Sequence, residues 1–139
     1  CGTGSIGIFL SKNVSKIIGV ETVEGAIEDA KKNAELNNLT NTHFFAGDVI
    51  KICNHDFFDK NGHPDIVIID PPRAGCHETL IQKLLELKVP RIVYVSCNPA
   101  TQARDLALLS VNYHISKSQA VDMFPQTHHV ENVVQLNLK

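Results

Sequence analysis

The strongest constraint on this chain is the order of its apolar runs. "KIIGVE" (16–21), "THFFAGD" (42–48), "DIVIID" (65–70) and "RIVYVSC" (91–97) are short and rich in β-branched or aromatic residues. "DIVIID" reads as a strand buried on both faces. Stretches with helical spacing lie between the runs. In "VEGAIEDAKKNAELNNL", Val23, Ala26, Ile27, Ala30 and Ala34 share one face. Thr22 is its expected N-cap, and Asn37-Asn38 its stop. "HETLIQKLLEL" (77–87) presents Leu80, Leu84, Leu85 and Leu87, and "ATQARDLALLS" (100–110) is a further helix. Apolar strands alternating with helices require a parallel sheet covered on both sides. The last two strands, "SKSQAVDMF" (116–124) and "NVVQLNL" (132–138), are joined by "PQTHHVE", which is too short for a crossover helix. They must run antiparallel. The fold class is therefore α/β, a mostly parallel sheet with an antiparallel last strand.

The opening "CGTGSIG" is a glycine-rich turn into a helix that reaches about Lys12. Such a turn follows a strand, so the first strand of the sheet is expected to lie upstream. Residues 1–139 are then one domain, the C-terminal part of a longer protein. "NHDFFDKNGHP" (54–64) reads as an irregular connection. No apolar run approaches the roughly 18 residues a membrane span needs, and no signal-peptide pattern is visible. The four cysteines form no CxxC pair, which suits a reducing compartment, the cytoplasm. The seven histidines lack metal-ligand spacing. The net charge of −2 matters because a chain that grips nucleic acid unaided is basic.

Four motifs carry chemistry. Gly2-Thr3-Gly4-Ser5-Ile6-Gly7 fits G-x-G-x-x-G, a tight turn that lets backbone approach a ligand. Glu21 ends the next strand, where a carboxylate can take both hydroxyls of a ribose. Asp48 stands at the corresponding place in "AGD", suited to an adenine amino group. Asp70-Pro71-Pro72-Arg73-Ala74-Gly75 follows a strand, and two prolines stiffen it and aim the flanking charges. Amino-methyltransferases of adenine or cytosine use a related turn, but with an aromatic residue where Arg73 stands. Cys97 ends its strand, with Asn98 as expected N-cap and Pro99 at the first helical position. A thiol beside a helix N-terminus is favoured as thiolate. Cys1, Cys53 and Cys76 read as ordinary small apolar residues. Finally, "DMFPQTHHVENVV" places Asp122, His128, His129 and Glu131 between the last strands. Most of these read as a solvated hairpin. Glu131, beside an apolar strand, can act as a base.

Together, Cys1–Gly7, Asp70–Gly75, Ser96–Pro99 and Phe124–Glu131 resemble the catalytic domain of the RNA uracil-5 methyltransferases, which make 5-methyluridine in tRNA and ribosomal RNA. The resemblance spans nearly the whole chain in motif order. It implies a Rossmann-like S-adenosylmethionine-dependent methyltransferase fold and an RNA substrate whose uridine leaves its stack. It makes Cys97 the nucleophile toward carbon 6 and Glu131 the base that strips the carbon-5 proton. Asp70 becomes a site-lining acid beside cofactor and target base. Gly2, Gly4, Glu21, Asp48 and Asp70 become cofactor residues. Arg73 would steady the oxyanion at carbon 4 or orient Cys97. On general likeness the ribosomal RNA branch is favoured over tRNA. The family carries upstream domains, often an RNA-binding barrel and in some members an iron–sulfur cluster. The resemblance indicates no metal in this segment and no obligate protein partner. A nicotinamide-dependent oxidoreductase would use the glycine turn and leave Cys97 and "DPPRAG" unexplained, and a non-catalytic RNA-binding module would leave thiol and carboxylate idle.

Overall fold

The structure, a computed structural model, describes residues 1–139. They form two compact units, residues 1–60 and 61–139. The first contains α1 (Ser5–Leu10), a 3-10 turn (Ser11–Asn13), β1 (Ile17–Glu21), α2 (Glu24–Leu36), β2 (Thr42–Ala46), α3 (Val49–Ile52) and α4 (His55–Asn61). β1 and β2 pair in parallel, from Ile17 opposite Thr42 to Glu21 opposite Ala46. Their crossover is α2, which buries Ile27, Ala30 and Ala34 against Phe44 of β2. Val23 lies outside this face because it is the N-cap of α2, and it is 59% exposed. Thr22 is not the cap. Oε1 of Glu21 accepts from the N–H groups of Thr22 and Val23 and from the Thr22 hydroxyl, so a carboxylate does that work. At the other end Asn37 caps the helix and Asn38 turns with φ 55°, as the sequence predicts.

The stretch 54–64 is not irregular throughout, since it contains α4. Oδ1 of Asn54 accepts from the N–H of Phe57 at 2.9 Å, which starts the helix. An edge contact between Phe45 and Phe57, centroids 5.3 Å apart, holds α4 to β2. Periodicity over so short a helix is too brief to separate it from a loop.

The second unit contains β3 (Ile66–Ile69), α5 (Glu78–Leu87), β4 (Arg91–Ser96), α6 (Pro99–Leu109), β5 (Tyr113–Val121) and β6 (Glu131–Leu138). The sheet order is β3-β4-β6-β5. β3 and β4 are parallel, and β6 runs antiparallel to both β4 and β5. The core joins Ile81 and Leu84 of α5, Ile92 and Tyr94 of β4, Leu109 of α6, Tyr113 of β5, and Val134 and Leu136 of β6. Burying each large aliphatic side chain contributes about 1.5–3 kcal/mol. Ile81, outside the expected leucine set, is fully buried, while Leu80 and Leu85 pack at the margin. β5 begins at Tyr113, earlier than expected, because that ring is drawn into the core at 1% exposure. Within residues 1–139, where β3 pairs with β4 alone, Val67 and Ile69 pack on the core and Ile66 and Ile68 are 43% and 38% exposed, so one of the two faces expected to be buried is covered here. No helix is long and apolar enough to cross a membrane.

Candidate active site

In the first unit the glycine turn closes by a hydrogen bond from the Gly4 N–H to the Cys1 carbonyl at 3.1 Å. Gly4 has φ +82°, and a Cβ there would stand 3.0 Å from the Phe44 ring and 3.1 Å from Ala30. Its bareness therefore serves packing against the core as well as the turn. Gly2 differs: nothing lies within 4 Å of where its Cβ would be, so the turn is open on that side. Glu21 ties the turn to the end of β1. Its Oε2 accepts from the Gly2 N–H at 3.0 Å. The Gly2 N–H, with the Val23 N–H and the Thr22 hydroxyl, holds the Glu21 carboxyl below the usual carboxylate range, against an opposing effect of desolvation. The ribose-binding acid expected from sequence is thus also the brace of the glycine turn. Asp48 caps α3, with Oδ1 accepting from the Ile50 N–H at 2.9 Å.

In the second unit the start of α6 is built as its spacing predicts. Asn98 is the N-cap, with Oδ1 accepting from the Ala100 N–H, and Pro99 occupies the first turn. Oγ of Ser96 accepts from the Asn98 N–H at 3.0 Å, closing the chain tightly around Cys97, which is half-buried. The same helix start holds the Asp70–Gly75 turn. Nδ2 of Asn98 and the Thr101 hydroxyl both donate to the Arg73 carbonyl, at 3.1 and 3.0 Å. One turn further along α6, fully buried Asp105 accepts from the Cys76 N–H at 2.7 Å and the Tyr94 hydroxyl at 2.6 Å. Arg104 pairs with Asp105 at 2.8 Å and donates to the Ala74 carbonyl at 3.0 Å. Gly75 turns at φ +81°, and a Cβ there would lie 2.7 Å from both Arg104 and Asp105. Burial lifts the Cys76 thiol to about 11, and burial with the Asp105 bond raises the Tyr94 hydroxyl as well. Cys76 is thus a structural thiol.

Strand register supplies the remaining alignment. β4 and β6 pair antiparallel, with Ser96 opposite Asn132 as the last pair. Cys97 and Glu131 each lie one position beyond it, at the same end of the sheet. Buried Gln102 of α6 locks that end. Its amide donates to the carbonyls of Tyr94 and Asn132, at 2.9 and 3.1 Å, and accepts from Nδ2 of Asn132 at 2.7 Å. A cavity of about 370 Å³ lies beside Cys97, lined also by Arg73, Asn98, Pro99, His128 and His129. Of the expected site residues, Arg73 and Cys97 share this cavity. Glu131 follows Val130, which also lines it, and Asp70 does not line it. Asp70 is solvent-accessible at the end of β3, and partial desolvation raises its carboxyl above the usual range.

Sequence reasoning missed Gln102 and Asp105, and it read His129 as part of a solvated hairpin. A signal existed for the first two. Gln102 and Asp105 sit three apart on the face of α6 that also carries Leu109, and polar residues on a buried stripe must find partners. No such signal marked His129, whose Nδ1 lies 2.6 Å from the Arg73 guanidinium across a long sequence separation.

The chain is 53% identical over 138 residues to an uncharacterized RNA methyltransferase of Bacteroides thetaiotaomicron, covering 99% of this chain and 30% of that protein. It is 56% identical over 137 residues to another from Porphyromonas gingivalis, again covering 30% of that relative. The chain thus spans about 30% of the length of these curated relatives. Among solved structures, the tRNA (uracil-54, C5)-methyltransferase of Pyrococcus abyssi, in complex with S-adenosyl-L-homocysteine, superposes with a TM-score of 0.84 at 42% identity. That match covers 97% of this chain and 32% of the other. The profile of the tRNA (uracil-5-)-methyltransferases matches residues 1–139, and the chain belongs to that family.

Proposed function

We propose that residues 1–139 carry the chemical step of an S-adenosylmethionine-dependent RNA uracil-C5 methyltransferase. The observation that carries this reading is the β4–β6 register, which brings Cys97 and Glu131 to one end of a sheet locked by Gln102. S-adenosylmethionine supplies the methyl group as an electrophile. Gly2, Gly4, Glu21, Asp48 and Asp70 are the residues that the resemblance assigns to it, and the open side of Gly2 fits such a ligand. The S-adenosyl-L-homocysteine in the P. abyssi enzyme supports the same choice.

Carbon 5 of uracil is a weak nucleophile. The Cys97 thiolate adds to carbon 6, and the carbon 5–carbon 6 π pair moves toward carbon 5 and the carbon-4 oxygen. Arg73, in the cavity of Cys97, faces that developing negative charge. Once carbon 5 is methylated, the Glu131 carboxylate takes its proton. The bond from Sγ to carbon 6 then breaks, and the ring double bond returns.

The test uses the full-length protein with labelled S-adenosylmethionine and RNA substituted with 5-fluorouracil. Fluorine at carbon 5 blocks proton removal, so a denaturation-resistant adduct accumulates, and Cys97→Ser abolishes it. An adduct that survives this substitution overturns the reading. The finer choice of RNA is read from the same assay. General likeness led to an expectation of ribosomal RNA, while the matching family and the 42% identical P. abyssi enzyme bear the name of tRNA methyltransferases. Transcripts of both kinds compete in one reaction, and the labelled one identifies the target.

A further inference from the structure

We infer that His129 is a positioning residue, a neutral acceptor that holds the Arg73 side chain over the Cys97 cavity without cancelling its charge. The inference rests on the proposed uracil chemistry and adds a residue to it. Arg73 is fixed at both ends. Its carbonyl is held by Asn98 and Thr101 of α6, and its guanidinium meets Nδ1 of His129 at 2.6 Å and Nε2 at 3.4 Å. No carboxylate pairs with it: the ion pairs of the second unit comprise Arg104 with Asp105. A carboxylate would hold a guanidinium more tightly, but it would also neutralise the charge that an oxyanion needs. A neutral imidazole nitrogen accepts one N–H and leaves the charge and the remaining donors free.

The hairpin is arranged to present that nitrogen. The Thr127 N–H and hydroxyl both bond to the Phe124 carbonyl, and the Thr127 hydroxyl accepts from the His129 N–H at 3.2 Å. The His128 ring lies against His129, centroids 4.2 Å apart. The groups facing His129 are Arg73 from the Asp70–Gly75 turn, His128 from its own hairpin, Glu131 from β6 and Cys97 across the cavity. Partial burial, then Arg73 and His128, lower the affinity of His129 for a proton, and Glu131 opposes them. The imidazole is thereby kept as an acceptor near neutral pH. A protonated ring would present a donor to a donor and release Arg73.

Two measurements on the full-length protein test this. The first reads the contact alone. In histidine NMR titrations of 13C-labelled protein, the signal lost in His129→Asn is that of His129. It titrates below the ordinary histidine range and moves up in Arg73→Ala. A His129 signal indifferent to Arg73→Ala overturns the contact, whatever the enzyme does.

The second reads the role, as the rate of adduct formation on saturating 5-fluorouracil RNA. His129→Ala slows it about 10- to 100-fold, less than the roughly 10²- to 10³-fold expected when the electrostatic group itself is removed, because Arg73 is loosened and not lost. His129→Asn, whose amide oxygen stands near the place of Nδ1, returns it to within about threefold. The double variant Arg73→Ala/His129→Ala is no slower than Arg73→Ala. Equal rates for His129→Ala and the unaltered enzyme, or full additivity with Arg73→Ala, overturn the inference. Loss of the adduct's dependence on Cys97 would instead sink the proposed function, while the titration still reads the Arg73 contact.

Discussion

Glu131 is the first residue of β6, with Val121 of β5 opposite it and Cys97 next to it past the end of β4. If it removes the carbon-5 proton, Glu131→Gln separates methyl transfer from release. On native RNA the variant should transfer one methyl per enzyme and then hold the RNA covalently. Release should slow about 10²- to 10⁴-fold, the usual worth of a positioned base. A gel run under denaturing conditions with labelled RNA shows the trapped complex, and normal turnover would exclude this base. Glu21 makes a prediction about acid. Its carboxyl is held below the usual carboxylate range in the folded chain, chiefly by the Gly2 N–H. Its contribution to stability is complete above the unfolded carboxylate range near pH 4.3 and is lost as pH falls below it. Glu21→Gln should flatten that part of the acid-unfolding curve. Cys97 and its cap were readable from a local pattern, because Ser-Cys-Asn-Pro fixes a strand end and a helix start within four residues. The bracing role of Glu21 was not readable, since it depends on where a distant glycine turn comes to rest.

At the scale of elements, α6 does two jobs along one axis. Its first turn sits beside Cys97 and holds the Arg73 carbonyl, and Arg104 and Asp105 hold the far end of the same proline-stiffened turn. Asp105→Ala should leave the Cys76 N–H and the Tyr94 hydroxyl unpaired in the core. The expected cost is about 3 kcal/mol, read as a fall in the unfolding midpoint of this domain. Gly75→Ala should destabilise comparably, because it meets both a left-handed backbone and two atoms at 2.7 Å. If the alanine variant melts like the parent, the tightness assigned to this joint is wrong. The alternation of strands and helices was legible because each element has a strong period. The cover over β3 was not legible, because the apolar run Ile66-Val67-Ile68-Ile69 looks the same whichever neighbours it pairs with. Asp105 was hidden likewise, since a carboxylate in a helix looks solvated until its partners are known.

For the molecule as a whole, charge is the informative quantity. With a net charge of −2, residues 1–139 have little excess cation to trade for counterions. RNA affinity measured on these residues alone should be weak and nearly flat against salt concentration, whereas the full-length protein should lose affinity steeply as salt rises. A steep slope from the short chain would mean that a basic surface within it has been overlooked. The same chain taken alone leaves Ile66 and Ile68 of an edge strand in water. It should self-associate at micromolar concentration, and Ile68→Lys should reduce this in size-exclusion chromatography.

The place of β6 has a further consequence. β6 is made after β5 yet lies between β5 and β4. During synthesis β5 therefore emerges from the ribosome with no neighbour to zip onto. A message cut short before the codon for Glu131 would yield a product lacking the wedge that closes this sheet. Nascent copies should stay unclosed and open to chaperones until β6 has cleared the exit tunnel.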